Sequence, residues 1–288
     1  MMRQIQKHRR ALVTAGVLAA VLCLLLLLSP VLPVALDWTQ TYRPATLALL
    51  QGQDPYAVEV APAAPFFAAP WSLLPLVPLA LLPSHVGRAL LLFTSLVTLV
   101  VSARKLGARP IALAAFLVAP PVVYGLILGN IEWMPLLGFV LPPQIGLLFI
   151  AVKPQTGFAV AIFWLIEAWR TGGWRKTVET FAPVTVVLLL SFVIFGLWPL
   201  KFQSIFGIAK DFNASLWPWS IPAGLALMVV AIRKRNVKYA MPASPCLSPY
   251  ALFHSWSSAL IAVSASDAAM VAIVALLWLI VSTPAWLL

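Results

Sequence analysis

The sequence predicts an all-α protein, a polytopic transmembrane helix bundle with about eleven crossings, and two observations carry this prediction. Of its 288 residues, 62% are hydrophobic and 9% are charged, whereas soluble domains contain about 45–50% apolar and about 25% charged residues. The apolar residues form long runs, as membrane-spanning helices do. Eight acidic residues could not solvate the surface of a soluble fold of this size. We therefore expect one integral-membrane domain over residues 1–288.

The basic residues predict how the chain is oriented. A net charge of +11 would indicate nucleic-acid binding in a soluble protein, but here Lys and Arg form short clusters between apolar runs, as in cytoplasmic loops. We expect membrane lipids as partners, no nucleic acid, and a multi-pass location in the cell membrane with the N-terminus in the cytoplasm. The clusters are residues 1–10, Arg104/Lys105/Arg109, Arg170/Arg175/Lys176 and Arg233/Lys234/Arg235/Lys238.

The first apolar run, Ala11 to Leu36, is long enough to span and too long for a signal-peptide core. It predicts an uncleaved first helix that leads outward and has Asp37 at its outer end. The first outer loop, 37–83, follows and contains the proline-interrupted apolar stretch Phe66 to Leu82. If that stretch crossed the membrane, the three later basic clusters would face outward, against the positive-inside rule. We predict instead an interfacial or re-entrant helix.

The remaining crossings follow from the later apolar runs. Two pairs of these runs are short and broken by proline, and such segments belong beside a cavity or an interface, because proline leaves a backbone carbonyl without its helical partner. The expected segments are Val86–Ala103, Ile111–Leu128, the pair Ile131–Pro142 and Gln144–Val152, Gln155–Trp169, Phe181–Trp198, Trp217–Ile232, the pair Ala240–Tyr250 and Ala251–Ser264, and Ala268–Leu288.

Few polar side chains remain outside these clusters, and on this topology they lie at the outer face. Asp37 is a carboxylate at the level of the lipid head groups, where it either ends the first helix or serves a site. Lys153 interrupts an apolar run, and a lysine near a helix centre in lipid costs about 2.5–3.5 kcal/mol, so it should pair with an anion or snorkel. Phosphate-loop, HExxH and GxSxG motifs are absent, as is metal-ligand spacing. The residues predict an outer site without metal or cofactor, suited to an anionic lipid-linked ligand.

The order of several motifs carries a resemblance to a known family. The motifs are Asp37-Trp38, Tyr42, Pro44-Ala45, Leu49-Leu50, Gly52, Asp54-Pro55-Tyr56, the aromatic and proline-rich segment 67–83, Gly129-Asn130, Lys153-Pro154-Gln155, Asn213-x-Ser215, and Ser248-Pro249-Tyr250 with His254. In this order they resemble glycosyltransferase family 87, the polyprenyl-phosphate-mannose-dependent mannosyltransferases of the membrane C-type superfamily. The resemblance covers most of the chain. Glu132 departs from it, because an amide is common near that position.

The resemblance implies an inverting hexosyltransferase that moves a hexose, mannose in the family, from a polyprenyl-phosphate-sugar donor to a lipid or glycan acceptor on the extracytoplasmic face. It implies Asp37 as the general base, and no metal is required because polyprenyl phosphate is already a good leaving group. Contacts to the donor phosphate are expected from Lys153, Arg43 and His254. Further substrate contacts are expected from Tyr42, Asn130, Asp54 and Tyr56.

A polytopic membrane transporter or lipid flippase without catalytic activity is the alternative. Broken helices beside a cavity are equally typical of transporters. A transporter would place ionisable residues near mid-membrane and show internal symmetry, whereas the sequence gathers them at one face without a visible repeat. A degenerate family member that acts as a partner subunit is a third possibility.

Overall fold

The computed structural model describes residues 2–58, 65–204 and 212–283, and every regular element within these ranges is helical. The helical part of the predicted fold class is therefore confirmed. Glu59, Lys210 and Asp211, which are among the polar residues that the predicted topology places at the outer face, lie outside the described residues. The helices are α1 (Met2–Leu28), α2 (Arg43–Leu50), α3 (Val77–Ala80), α4 (Ser84–Lys105), α5 (Pro110–Leu117), α6 (Pro120–Leu128), α7 (Trp133–Gly138), α8 (Pro143–Ile150), α9 (Pro154–Phe195), α10 (Ile221–Lys234), α11 (Ala240–Leu247), α12 (Ser257–Ala262) and α13 (Asp267–Ser282).

Shorter helical pieces complete the described chain. A π-helical stretch over Asp37–Tyr42 runs directly into α2. The 3₁₀ turns are Pro55–Ala57, Pro70–Leu76, Trp198–Ser204, Val237–Tyr239 and Phe253–Trp256.

Two helices, α4 and α9, are long and apolar enough to cross a membrane. The pair α5 and α6, bent by 53°, would make a third span if the two helices are counted together. Leu12–Leu28 within α1, Pro70–Ala80 and α13 are apolar but shorter. By length and composition, the described residues thus contain two or three segments that could cross a membrane, fewer than the eleven crossings that the sequence predicts.

Helix α9 is a hairpin, because its helical geometry is lost at the pair Gly172–Gly173. A straight helix of 42 residues would separate its ends by about 63 Å, yet Trp71 contacts both ends. The indole Nε1 of Trp71 donates to the Leu148 carbonyl, just before α9, at 2.9 Å. Its ring centroid lies 6.2 Å from that of Trp198, just after α9. The chain therefore reverses at the glycine pair, and Gly173, with φ of +59°, has the left-handed backbone that favours glycine.

The three basic clusters of the interior sequence meet at one end of the bundle. Lys238 Nζ donates to the Leu106 carbonyl, just after α4, at 2.7 Å. Arg170, beside the hairpin turn of α9, donates to the Ile232 carbonyl near the end of α10 at 3.0 Å. Helix α4 runs from this basic end to the opposite end over about 33 Å, which is close to the thickness of a hydrocarbon core.

The apolar segment Phe66 to Leu82 returns to the level at which it starts. Phe66, at its beginning, packs edge-on against Tyr42 with ring centroids 6.4 Å apart. Leu82, at its end, accepts a hydrogen bond of 3.3 Å from the Arg43 guanidinium. Because Tyr42 and Arg43 are neighbours in the chain, the two ends of the segment lie close together, with the short helix Pro70–Ala80 between them.

The first helix ends earlier than the sequence predicts. It stops at Leu28 rather than Leu36, because Pro30 and Pro33 lack the N–H that an α-helix needs and clash with its preceding turn. Asp37 therefore does not extend α1. It opens the separate π-helical stretch, a conformation that is rare and frequently occurs at functional sites.

This arrangement predicts which residues share a side of the membrane. In a background with Cys23→Ala and Cys246→Ala, we expect cysteines introduced by Arg104→Cys and Arg170→Cys to react with a membrane-impermeant maleimide from one side only. A cysteine introduced by Lys201→Cys, in the 3₁₀ turn after α9, should react from the other side. Labelling of all three positions from the same side of intact cells would refute the arrangement.

Candidate functional site

Trp38 and Gly129 bring two distant chain segments together at the end of the bundle opposite to the basic end. The Trp38 side chain is fully buried, and its Nε1 donates to the Ser84 carbonyl at the start of α4 at 3.0 Å. Gly129 follows α6 with φ of +70°, and a Cβ there would lie 2.9 Å from the Cβ of Trp38. Only glycine allows this turn to pass so close. As a result Asn130, the next residue, lies beside Asp37.

A hydrogen-bonded chain links Asp37 to Lys153 through Asn130. The amide Nδ2 of Asn130 donates to Asp37 Oδ2, and Lys153 Nζ donates to Asn130 Oδ1, each at 2.5 Å. Lysine can only donate and an ionised carboxylate can only accept, so this amide orientation satisfies both neighbours. Asn130 therefore transmits the position and charge of Lys153 to the carboxylate of Asp37.

Lys153 is bound entirely by the protein. Its Nζ also contacts Glu132 Oε2 at 3.0 Å and His254 Nε2 at 3.1 Å. Thr156 Oγ1 donates to the other oxygen of Glu132, Oε1, at 2.8 Å. The Lys153 and Glu132 side chains are 6% and 8% exposed. An ammonium has three N–H donors, and all three point at protein acceptors, so Lys153 has none to offer a phosphate.

His254 is held as a neutral ring by its contact with Lys153. Because lysine only donates, His254 Nε2 must accept, and the ring proton then lies on Nδ1. Nδ1 is buried and has no hydrogen-bond partner among the residues that the structure describes. The ring stacks on Tyr124 at 6.3 Å, and Gly125 lets α6 approach, because a Cβ there would lie 3.2 Å from the Cβ of His254. His254 thus acts within the network rather than on its surface.

Asp37 is the accessible end of this network. Its side chain is only partly buried, whereas Asn130, Glu132, Lys153 and His254 are all buried. Burial raises the pKa of the Asp37 carboxyl above its ordinary value, and the hydrogen bond from Asn130 and the charge of Lys153 lower it by less. A carboxylate that is reachable, oriented and more basic than usual is suited to accept a proton.

Three further residues of the predicted site make other contacts. Arg43 donates to the Leu82 carbonyl, as described above. Asp54 caps the 3₁₀ turn at Tyr56, pairs with Lys201 and lies in the first outer loop. Tyr56 donates to the Ala68 carbonyl at 2.8 Å. None of these hydrogen bonds or ion pairs joins them to the Asp37 network.

Tyr56 belongs to an aromatic cluster that connects residues 37–83 to the 3₁₀ turn after α9. Its ring is parallel to that of Trp198 at 6.0 Å, and Lys201 Nζ lies 5.2 Å above it. Phe66 and Phe202 lie against the same ring at 5.1 and 6.2 Å. Stacked and tilted rings at these distances stabilise one another, so the cluster fixes the first loop against the turn after α9.

A small cavity of about 20 Å³ borders the network and is large enough for one water molecule. Asn130 and Glu132 form part of its wall, and α4 contributes Ser95 and Leu99. Within the described ranges, no group of three His, Cys, Asp or Glu side chains is arranged to hold a metal ion.

Comparisons with protein-family models, curated proteins and solved structures gave no match. The motif residues and their geometry therefore carry the functional argument. Of the eight predicted site residues, Asp37, Asn130, Lys153 and His254 form one network. Tyr42 lies close to it, since its hydroxyl is hydrogen-bonded to the backbone of Ile131.

Sequence reasoning missed Glu132 and Thr156 as members of the network. The sequence contained an indication of the role of Glu132. It is an isolated acid between apolar segments, and Lys153 is an isolated base at the end of the apolar segment that follows. Opposite charges in apolar surroundings stabilise each other when they meet. Thr156 offered no signal, since a threonine in the first turn of a helix is common on any surface.

The buried ion pair predicts a specific pattern of stability. Lys153→Met leaves the Glu132 carboxylate buried without its partner and should lower the free energy of unfolding by about 3–5 kcal/mol. The double variant Lys153→Met/Glu132→Leu removes both charges and should recover most of this loss. Denaturant titration of purified protein in mild detergent would measure these two variants and the single variant Glu132→Leu against the wild type. Additive losses in the double variant would show that the two charges do not stabilise each other.

Proposed function

We propose that this protein is an integral-membrane hexosyltransferase that transfers mannose from a polyprenyl-phosphate donor to a lipid or glycan acceptor. The observation that carries the proposal is the Asp37 carboxylate, which is partly exposed and is oriented by the buried network through Asn130. The same aspartate occupies the position that the family resemblance assigns to the general base. A network this costly to bury is maintained at functional sites more often than elsewhere.

In the proposed reaction, the acceptor hydroxyl attacks the anomeric carbon of the sugar. The new bond joins the acceptor oxygen to this carbon, and the bond from the carbon to the phosphate oxygen breaks, with its electron pair leaving on the phosphate. Asp37 removes the proton of the hydroxyl as the bond forms. Because a single base acts on the face opposite to the leaving group, the sugar configuration inverts.

The two oxygens of Asp37 take different parts in this step. Oδ2 accepts from Asn130, and Oδ1 has no hydrogen-bond partner within the described residues, so Oδ1 is the oxygen that takes the proton. Asn130 holds the carboxylate in one orientation, and Lys153 holds Asn130. These two are positioning residues, which is consistent with the protein contacts of all three Lys153 donors.

We further propose that the chain crosses the membrane about eleven times, with the N-terminus in the cytoplasm and the site on the extracytoplasmic face. The gathering of the three basic clusters at one end supports this orientation through the positive-inside rule. The return of residues 66–82 to their starting level supports an interfacial or re-entrant segment. This count includes the short, proline-broken pair α7 and α8, which can cross only where the membrane thins or where they line a cavity.

One observation favours the transporter alternative. A buried Lys153–Glu132 pair with a buried histidine beside short helices is an arrangement that proton-coupled transporters also use. The two functions differ in what they require of Asp37, since a transporter does not need a general base at the accessible end of the network.

The proposal predicts the effect of Asp37→Asn, which keeps the size of the side chain and removes its basicity. Turnover of polyprenyl-phosphate-mannose by purified protein in lipid should fall by about 10²–10⁴-fold, with donor affinity and folding largely retained. Glu179→Gln removes an exposed carboxylate near the basic end and should transfer sugar at the wild-type rate. Transfer at the wild-type rate by Asp37→Asn would exclude Asp37 as the base.

The pH dependence of the wild-type enzyme is a further consequence of the same assignment. A base must be unprotonated, and the pKa of Asp37 is raised, so kcat/KM should fall as the pH falls through a value above the usual aspartate pKa of about 3.9. The profile of Glu179→Gln should coincide with that of the wild type. A rate that is constant down to pH 4 would contradict a base with a raised pKa.

We also expect transfer to continue without a divalent cation, because the leaving group is already a phosphate and the proposed step uses only a carboxylate. Activity of protein treated with a chelator should equal that of untreated protein. Loss of activity in the chelator, with recovery on addition of Mn²⁺ or Mg²⁺, would contradict the proposed chemistry.

A further inference from the structure

Arg88 carries a charge that has no hydrogen bond or ion pair within the described residues. It lies in the second turn of α4, is 7% exposed, and forms no hydrogen bond or ion pair with any residue in the described ranges. A guanidinium stays charged at every physiological pH, and a charge that is taken out of water without a counter-ion is costly. The side chain is therefore placed to receive an anion that none of the described residues provides.

The position of Arg88 relates it to the Asp37 network. It lies one turn into α4 from Ser84, whose carbonyl holds Trp38 beside Asp37. Ser95 is seven residues further along, which is about two turns, so both residues lie on the same face of α4. Ser95 lines the cavity that Asn130 and Glu132 also border. Arg88 thus lies on the face of α4 that borders the Asp37 network, near the N-terminal end of the helix, where Asp37 is accessible.

The other cations at this end already have acceptors. Lys153 is bound by Asn130, Glu132 and His254, and Arg43 reaches a backbone carbonyl. Lys201 pairs with Asp54. Among the lysines and arginines described at this end, Arg88 differs from these three because none of its donors has a protein acceptor.

We propose that Arg88 binds the phosphate of a prenyl-phosphate ligand. This inference rests on the proposed function, for which it supplies the phosphate contact that Lys153 cannot make. A guanidinium presents a planar fork of donors that matches two phosphate oxygens. In the transfer step this contact stabilises the charge that the departing phosphate gains.

Binding of farnesyl phosphate to the full-length protein in phosphatidylcholine nanodiscs tests this site. Arg88→Gln should weaken the binding by about 10- to 100-fold, the effect of losing charge-assisted hydrogen bonds. Arg88→Lys should retain part of it. Arg175→Gln, which removes an exposed guanidinium near the basic end, should bind as the wild type does. Equal affinity of Arg88→Gln and wild type would overturn the proposal.

Competition distinguishes the possible sources of the phosphate. Farnesol, inorganic phosphate and added phosphatidylglycerol are each tested against farnesyl phosphate. We expect inorganic phosphate and farnesol to compete weakly, because inorganic phosphate lacks the prenyl chain and farnesol lacks the phosphate. Displacement by phosphatidylglycerol at a low molar fraction would identify Arg88 as a site for ordinary lipid head groups and would overturn the proposed ligand.

Thermal unfolding provides a test that does not depend on ligand affinity. Arg88→Met removes a charge that no described residue compensates, so the variant without ligand should unfold at a higher temperature than wild type, while farnesyl phosphate should stabilise only the wild type. If Arg88→Met fails to fold or is less stable, the guanidinium has a structural partner and the inference is wrong.

The transfer assay separates this inference from the proposed function. If the wild type transfers mannose and Arg88→Gln binds the donor normally, the phosphate site is wrong and the function stands. If the wild type binds farnesyl phosphate through Arg88 and transfers no sugar, the phosphate site stands and the function is wrong.

Discussion

The buried ion pair between Lys153 and Glu132 is the interaction on which the candidate site depends. Two opposite charges with so little exposure remain together only because further hydrogen bonds satisfy their other polar atoms. Thr156 donates a hydrogen bond to the second oxygen of Glu132. Asn130 and His254 accept from the remaining donors of Lys153. Each of these groups has its position fixed by the pair. Asp37 lies at the end of this chain of contacts, and the hydrogen bond from Asn130 holds its carboxylate in one orientation.

The arrangement resolves a conflict between accessibility and order. A carboxylate in contact with water has many orientations, and a fully buried one cannot meet a substrate. Here the buried part of the network supplies the order, and the exposed part of Asp37 supplies the access. The close passage of Gly129 past Trp38 is the backbone feature that makes this possible, because any larger residue would separate Asn130 from Asp37.

Sequence alone predicted the helical class, the short proline-broken helices and the common side of the basic clusters, since all three follow from local composition and charge. It also named four members of the network. It could not predict that Lys153 is satisfied by the protein, because Glu132 and His254 are 21 and 101 residues away from it in the chain. The early end of α1 was not predicted, because the apolar run continues past the prolines that end the helix. Arg88 was one polar residue among many, because its low exposure and its lack of a partner within the described residues depend on the tertiary structure.

The network joins residues 37, 130, 153 and 254, and so it draws on the first outer loop, two middle segments and a segment close to the C-terminus. During synthesis, Lys153 and Glu132 enter the bilayer well before His254 emerges from the ribosome. Until then the lysine lacks one of its three acceptors, and the pair is open on the side that the last helices will cover. Assembly of this centre is therefore a late event in biogenesis, and a chain that stops before residue 254 would leave an incompletely neutralised charge exposed to quality control in the membrane.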